Sequence, residues 1–117
     1  MTETLKPGYV NGELAKGYEG ATVDAYVDAM DVYLDGFRST HVTINNTDST
    51  NALKFTLYVS TVRSLTEIED VAETELTAGV PYNWSSIIPW DRIRVKVKSS
   101  TGSAPADYEV GFKGTKF

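Results

Sequence analysis

Histidine and serine are the residues of this chain that could support nucleophilic catalysis, and histidine is scarce. The chain contains one histidine, His41, and no cysteine. A Ser-His-Asp arrangement would therefore need His41 together with a hydroxyl such as that of Ser39, Ser60 or Ser64. No Gly-x-Ser-x-Gly segment, which exposes a nucleophilic serine on a sharp turn, occurs in the sequence. We therefore predict that the protein is not an enzyme and has no catalytic residues.

Carboxylates occur in two clusters that invite comparison with calcium sites. The clusters comprise Asp24, Asp28, Asp31 and Asp35, and Glu67, Glu69 and Asp70. Calcium-binding loops combine closely alternating oxygen ligands with an internal glycine, and neither cluster has this pattern. Nucleotide-binding glycine loops are also absent from the sequence. The sequence predicts no metal site and no cofactor.

Four cations alternate with three aliphatic residues near the end of the chain. The cations are Arg92, Arg94, Lys96 and Lys98. Because successive side chains of a strand point to opposite faces, this alternation predicts a β-strand with one basic and one apolar face. Either the basic face contacts an acidic partner protein, or it pairs across the sheet with the chain's own carboxylates. The candidates for such pairing are Glu67, Glu69, Glu73 and Glu75.

Large aromatic residues are concentrated between positions 82 and 90. They are Tyr82, Trp84 and Trp90. Indole rings can fill a hydrophobic core, anchor a protein interface or stack on a sugar, and all three uses stay open at this point. The sugar-binding alternative would add Tyr58 to the group.

β-Strands are the elements that must position these residues. Apolar and polar residues alternate in four stretches, and polar turn residues follow the first and the third of them. The stretches are 42–44, 53–59, 93–97 and 108–112. We predict two long hairpins, each with one apolar face, that stack face to face about 10 Å apart. The predicted fold class is all-β, an antiparallel β-sandwich or jelly-roll-like barrel.

Residues 22–35 fit two different periods. Their apolar residues would form one stripe of a helix, with aspartates on the opposite side. Valine, tyrosine and aspartate are mediocre helix formers, however, and Asp35-Gly36 is a turn signal. We predict a strand over 30–34 and leave the start of the segment open. Further strands are expected at 73–76 and 82–88.

The first twenty residues contain four glycines and one proline, and their apolar residues follow no sustained period. They are predicted to form an extended arm, in front of a sandwich domain at 21–117. Such a terminus is either frayed or docked on a neighbouring molecule. Docking would use five residues of the arm, which are Leu5, Pro7, Tyr9, Val10 and Tyr18.

Length and charge exclude several classes of protein. A chain of 117 residues forms one domain, large enough for a core without disulfides. No run approaches the roughly 18 apolar residues of a membrane span, and residues 1–20 do not have the pattern of a signal peptide. The net charge is −5 and the pI is about 4.7. Nucleic-acid binding needs a basic surface, so neither nucleic acid nor a membrane is an expected partner.

Three short motifs follow one another within residues 34–112. They are Asn46-Thr47, Asn51-Ala52-Leu53-Lys54-Phe55, and Pro89-Trp90 with the alternating basic strand up to Lys98. Followed by a final pair of strands, they resemble a pattern of small β-sandwich virion proteins of tailed bacteriophages, over about two thirds of the chain. The resemblance implies a non-enzymatic virion component such as a capsid decoration or cement protein.

We expect such a protein to be a homo-oligomer that binds the major capsid protein or other virion proteins, in a virion assembled in the bacterial cytoplasm. The arm and one end of the sandwich would make the contacts. The predicted interface residues are Leu5, Pro7, Tyr9, Val10, Tyr18, Trp84, Trp90, Arg92, Arg94, Lys96 and Lys98. A carbohydrate-binding or host-recognition module and a tail or fibre adaptor protein are the alternatives.

Overall fold

The computed structural model describes residues 2–5, 13–34, 36–61 and 66–116, and these ranges contain nine β-strands. The strands are β1 (Thr2–Leu5), β2 (Glu13–Ala21), β3 (Val27–Tyr33), β4 (Ser39–Asn46), β5 (Leu53–Ser60), β6 (Ile68–Leu76), β7 (Pro81–Ser86), β8 (Arg92–Ser99) and β9 (Asp107–Thr115). The described ranges contain no helix, and so none that is long and apolar enough to cross a membrane.

The strands form two antiparallel sheets that enclose one hydrophobic core. Sheet A has the order β1-β2-β9-β4-β7, and sheet B has the order β3-β8-β5-β6. The four alternating stretches supply most of the inward-facing side chains, each at most 2% exposed. These are Val42, Ile44, Leu53, Phe55, Leu57, Val59, Ile93, Val95, Val97, Tyr108, Val110 and Phe112. The predicted all-β antiparallel sandwich is thereby confirmed.

The strands that were expected to pair as hairpins lie in different sheets. β4 pairs with β7 and β9, whereas β5 pairs with β6 and β8. In the same way, β8 and β9 belong to opposite sheets. The hairpin prediction is wrong because an alternating strand buries the same side chains whether its successor lies beside it or across the core. The loops at 47–52 and 100–106 therefore connect the two layers.

The segment with two possible periods is a strand. The strand predicted at 30–34 corresponds to β3, which begins earlier, at Val27. Its register against β8 shifts between Asp28 and Met30, and both Ala29 and Met30 are buried. Such a bulge interrupts the two-residue alternation, which explains why the apolar spacing also fits a helix. The strands expected at 73–76 and 82–88 correspond to the end of β6 and to β7, which ends at Ser86.

The segment predicted as a separate arm takes part in sheet A. β2 pairs with β9 along its whole length and with β1 on its other side, so no structural boundary lies at residue 20. Its sequence does not alternate because few of its side chains reach the core, among them Leu14 and Tyr18. Gly20 lies under the ring of Tyr108, where a Cβ atom would be 2.7 Å from the phenol oxygen. Backbone pairing, which leaves no periodic signal, holds this strand in place.

Candidate protein-interaction surfaces

The cations of β8 lie on the outer face of sheet B, where carboxylates of the same chain pair with them. Arg92 donates hydrogen bonds of 2.8 and 2.7 Å to the Asp31 carboxylate, which raise the pKa of the arginine. Arg94 donates two to Glu67, at 3.0 and 2.5 Å. Of the two interpretations of this basic strand, the geometry matches pairing within the sheet. Glu67 was a candidate partner, whereas Asp31 was not foreseen because the sequence did not predict that its strand lies beside β8.

Tyrosine rings complete this outer face. The Arg92 guanidinium lies 4.9 Å from the ring centre of Tyr33, and Lys98 Nζ lies 5.0 Å from that of Tyr26. The Tyr26 hydroxyl donates a hydrogen bond of 2.5 Å to Glu73. Burial and this bond raise the pKa of Tyr26, and the same bond lowers the pKa of Glu73. Within the described residues, three of the four cations of β8, which are Arg92, Arg94 and Lys98, lie against carboxylates of the same face.

The aromatic residues predicted to contact a partner are in the core. Tyr18 is 3% exposed, and Trp84 and Trp90 are each 8% exposed. The indole N–H of Trp84 donates to Asp70 at 2.8 Å, and that of Trp90 donates to the Ser86 hydroxyl at 3.0 Å. Burial of these large rings together with a hydrogen bond for each indole removes them from the surface. Of the three uses of the indoles left open by the sequence, core packing is the one realised.

The remaining predicted contact residues belong to the N-terminal segment. Leu5 is the last residue of β1. Pro7, Tyr9 and Val10 lie outside the described residues.

His41 is part of a polar ladder on the outer face of sheet A. Its Nε2 shares a hydrogen bond of 3.1 Å with the Thr43 hydroxyl, which donates to the Asn83 side chain at 3.0 Å. Within the described ranges, the hydrogen-bond partner of the His41 ring is the Thr43 hydroxyl, and not a serine hydroxyl or a carboxylate. Among the residues described by the structure, no group of acidic or histidine side chains could hold a metal ion. His41 therefore belongs to a ladder of side chains that runs from β4 to β7.

Four of the seven large apolar side chains that are exposed in the described residues lie at one end of the sandwich. They are Tyr33 (53% exposed), Ile68 (51%), Ile87 (86%) and Ile88 (45%), and we call this the apolar end; the other three, Val23, Val27 and Val80, lie at the opposite end. It lies where β3 and β7 end and where β6 and β8 begin. The sequence prediction missed it because 82–88 was assigned entirely to a strand. Two adjacent isoleucines before Pro89 were the available signal, since a strand cannot bury neighbouring side chains on one face.

The outer face of sheet A was also missed. In register across its strands lie Gly17, Gly111, Thr43 and Asn83. Short side chains leave shallow depressions along this face, one of about 210 Å³ lined in part by Ala15, Thr43 and Gly111. The face had no sequence signal, because its residues come from four strands that are distant along the chain.

Neither a protein family model nor a curated protein matches this sequence. Solved structures do match the fold. PirA superposes with a TM-score of 0.60 at 9% identity, over 92% of this chain and 97% of that one. A chain of the Bacillus endospore appendages, which form disulfide-linked pili, has a TM-score of 0.52 at 12% identity, over 96% and 98% of the two chains.

Two further solved structures show how varied the proteins with this fold are. The SPBc2 prophage-derived protein YomS has a TM-score of 0.51 at 14% identity, over 92% of this chain and 98% of that one. The Yersinia pseudotuberculosis-derived mitogen has a TM-score of 0.56 at 13% identity, over 88% and 86%. At these identities the likeness concerns the fold alone, and function has to be argued from the surface.

Proposed function

We propose that this protein is a non-enzymatic structural component of a virion, specifically a capsid decoration protein of a tailed phage. It attaches to the head lattice through its N-terminal segment and the apolar end of the sandwich. The observation that carries the proposal is the apolar end itself. Four of the seven exposed large apolar side chains of the described residues lie at this end, and apolar surface that is concentrated in one place is typical of a protein contact surface.

Two comparisons agree with this proposal. The endospore appendage chain comes from pili and YomS is prophage-derived, and both match this chain over nearly their whole lengths. The phage motifs in the sequence point in the same direction. This chain has no cysteine, so the disulfide linkage of the appendage pili cannot be part of its own assembly.

The carbohydrate-binding alternative is less well supported, because three of its aromatic residues pack inside the molecule. Its two indoles are buried, and Tyr82 packs against Phe55 with ring centres 4.9 Å apart. A tail or fibre adaptor would use the same apolar end, and it differs from a decoration protein only in the partner.

Co-sedimentation with phage heads and with tails assembled without this chain tests the proposal. We expect binding to heads, and Ile68→Asp should weaken it at least about tenfold because a carboxylate in an apolar contact is left without a partner. Val23→Asp is the matched control, since Val23 is 50% exposed, against 51% for Ile68, and lies at the opposite end.

A deletion of residues 2–12 tests the N-terminal segment without removing β2 from sheet A. Loss of head binding with an unchanged melting temperature would support its role in attachment. Binding to tails alone would replace the decoration role by an adaptor role. Equal head binding by the intact chain and by Ile68→Asp would refute attachment through the apolar end.

A further inference from the structure

The outer face of sheet A contains a glycine that the internal packing does not require. At Gly111, in the middle of the central strand β9, a Cβ atom would meet nothing within 4 Å. Gly114 on the same strand differs, because there a Cβ would lie 2.8 Å from the Phe37 ring. Glycine weakens a strand interior and often marks a place where another backbone approaches closely. The open space above Gly111 points outward from the molecule.

Charges on this face are arranged with opposite signs on the two sides of Gly111. Lys113 and His41 form one register row, and Glu109 and Glu19 form another. All four side chains are exposed. Lys113 and Glu109 are on β9 and lie two residues on either side of Gly111. Consider an axis that passes through Gly111, lies parallel to the sheet and runs perpendicular to the strands. A rotation of 180° about this axis brings the basic row to the position of the acidic row, and the acidic row to the position of the basic row.

Exposed apolar residues lie at both ends of β7, the edge strand of this sheet. Ile87 and Ile88 follow the strand at the basic side, and Val80 and Pro81 lie at its start, on the acidic side. The centre between these two pairs falls at position 84. Position 83 lies in the register row of Gly111. The charged rows are centred on the row of Gly111, and the apolar pairs are centred within one residue of the same row.

We propose that two copies of this chain form an antiparallel dimer through the outer faces of their A sheets. The two-fold axis lies in the interface and crosses the strands above Gly111. It places Lys113 of each copy against the partner's Glu109, and Ile87 and Ile88 against the partner's Val80 and Pro81. The absent side chain at Gly111 lets the two β9 strands approach at the centre. An isologous contact requires this kind of self-complementary surface.

The size of the face predicts a reversible dimer. Four strands spaced about 4.8 Å apart and eight residues at about 3.4 Å each cover roughly 500 Å² per copy, or about 1,000 Å² in total. Stable specific interfaces begin near this area, so we expect dissociation on dilution. The dimer does not depend on the proposed virion role. The dimer covers Ile87 and Ile88 of the apolar end, so attachment in the dimeric state would use Tyr33 and Ile68, which stay exposed at opposite ends of the dimer.

The proposal is tested by reversing single charges on the face and measuring dimerisation of the full chain by sedimentation equilibrium. We expect a monomer–dimer equilibrium that weakens with salt. Lys113→Glu and Glu109→Lys should each weaken dimerisation at least about tenfold, because each places like charges opposite one another twice. The double variant, and an equimolar mixture of the two single variants, should regain the dimer.

Gly111→Thr supplies a second test that does not depend on charge. Threonine favours a strand and has open space within the molecule, so the variant should keep or raise the melting temperature and lose the dimer. Gly102→Thr, another glycine with open space but outside this face, is the control and should dimerise normally. A chain that stays monomeric at millimolar concentration and low salt, or a dimer unaffected by Gly111→Thr, would overturn the proposal.

Discussion

Asn46 is the residue whose polar atoms join the two sheets at the end opposite the apolar end. The side chain is 1% exposed, and its Nδ2 donates to the carbonyls of Asn51 and Leu76, each at 2.9 Å. Its Oδ1 accepts the backbone N–H of Asp48 at 3.0 Å. Asn46 belongs to sheet A and Leu76 to sheet B, so one amide group bridges the layers. The sequence places Asn46 in a polar turn, whereas in the structure its side chain belongs to the buried hydrogen bonds that connect the two sheets.

Asn46→Ala should lower the free energy of unfolding by about 2–3 kcal/mol, because two carbonyls and one N–H lose their partner in a buried site. Urea denaturation measures the change. Asn45→Ala, on the half-exposed outer face of sheet A, is the control and should stay within about 0.5 kcal/mol of the parent. Equal effects of the two substitutions would contradict the bridging role.

At the scale of the element, β8 is the strand that organises sheet B. Its inner residues belong to the core. Its outer cations pair with carboxylates from segments that lie on either side of β8 within sheet B. Arg94 lies 3.8 Å from Asp28 on β3 in addition to its two bonds to Glu67. Charge pairs across strands favour one register over its neighbours, because a slip of one residue would turn the cations into the core.

Arg94→Met should destabilise the fold by about 1 kcal/mol, since it keeps the aliphatic contact and removes the bidentate partner of the half-buried Glu67. Arg94→Lys should restore only part of the loss, because an ammonium group cannot form the two parallel bonds. Lys96→Met is the control, as Lys96 makes a longer contact, 6.0 Å from the Tyr58 ring centre. Chemical denaturation at low and high salt checks the order, and the Arg94 effect should shrink with salt.

At the scale of the whole molecule, acid and alkali should each reduce stability through groups that cross-link the layers and strands. The pKa of Glu73 is lowered from its usual 4.5 chiefly by the Tyr26 hydrogen bond, and that of Asp48 from 3.8 by backbone N–H groups of Asn51 and Thr50. These contributions are present above the ordinary values and are lost as the pH falls through the lowered ones. The pKa of Tyr26 is raised above its usual 10.0, so its contribution is present below pH 10 and is lost as the pH rises above it.

Tyr26→Phe should therefore flatten both limbs of the stability profile, because it removes the group that titrates at high pH and the bond that lowers the Glu73 pKa. Thermal unfolding followed from pH 2 to pH 11 measures both limbs. An unchanged slope above pH 10 would show that Tyr26 does not couple to folding.

The sequence determined the strand class and the inward faces of β4, β5, β8 and β9, because alternation is a local property that each strand carries by itself. It also determined that cysteine chemistry and multi-histidine metal sites are excluded, since those residues are missing or single. Only the tertiary structure decided which strands are neighbours. Pairing between distant strands placed Asp31 beside Arg92, buried Trp84 and Trp90, and drew β2 into sheet A.

Pairing between distant strands also explains why the sequence did not reveal the two candidate surfaces. The apolar end and the face around Gly111 combine residues from several strands, and no periodicity within one strand reveals which side chains meet across a sheet. Local alternation sets what each strand buries, whereas the long-range order of the strands sets what the molecule exposes.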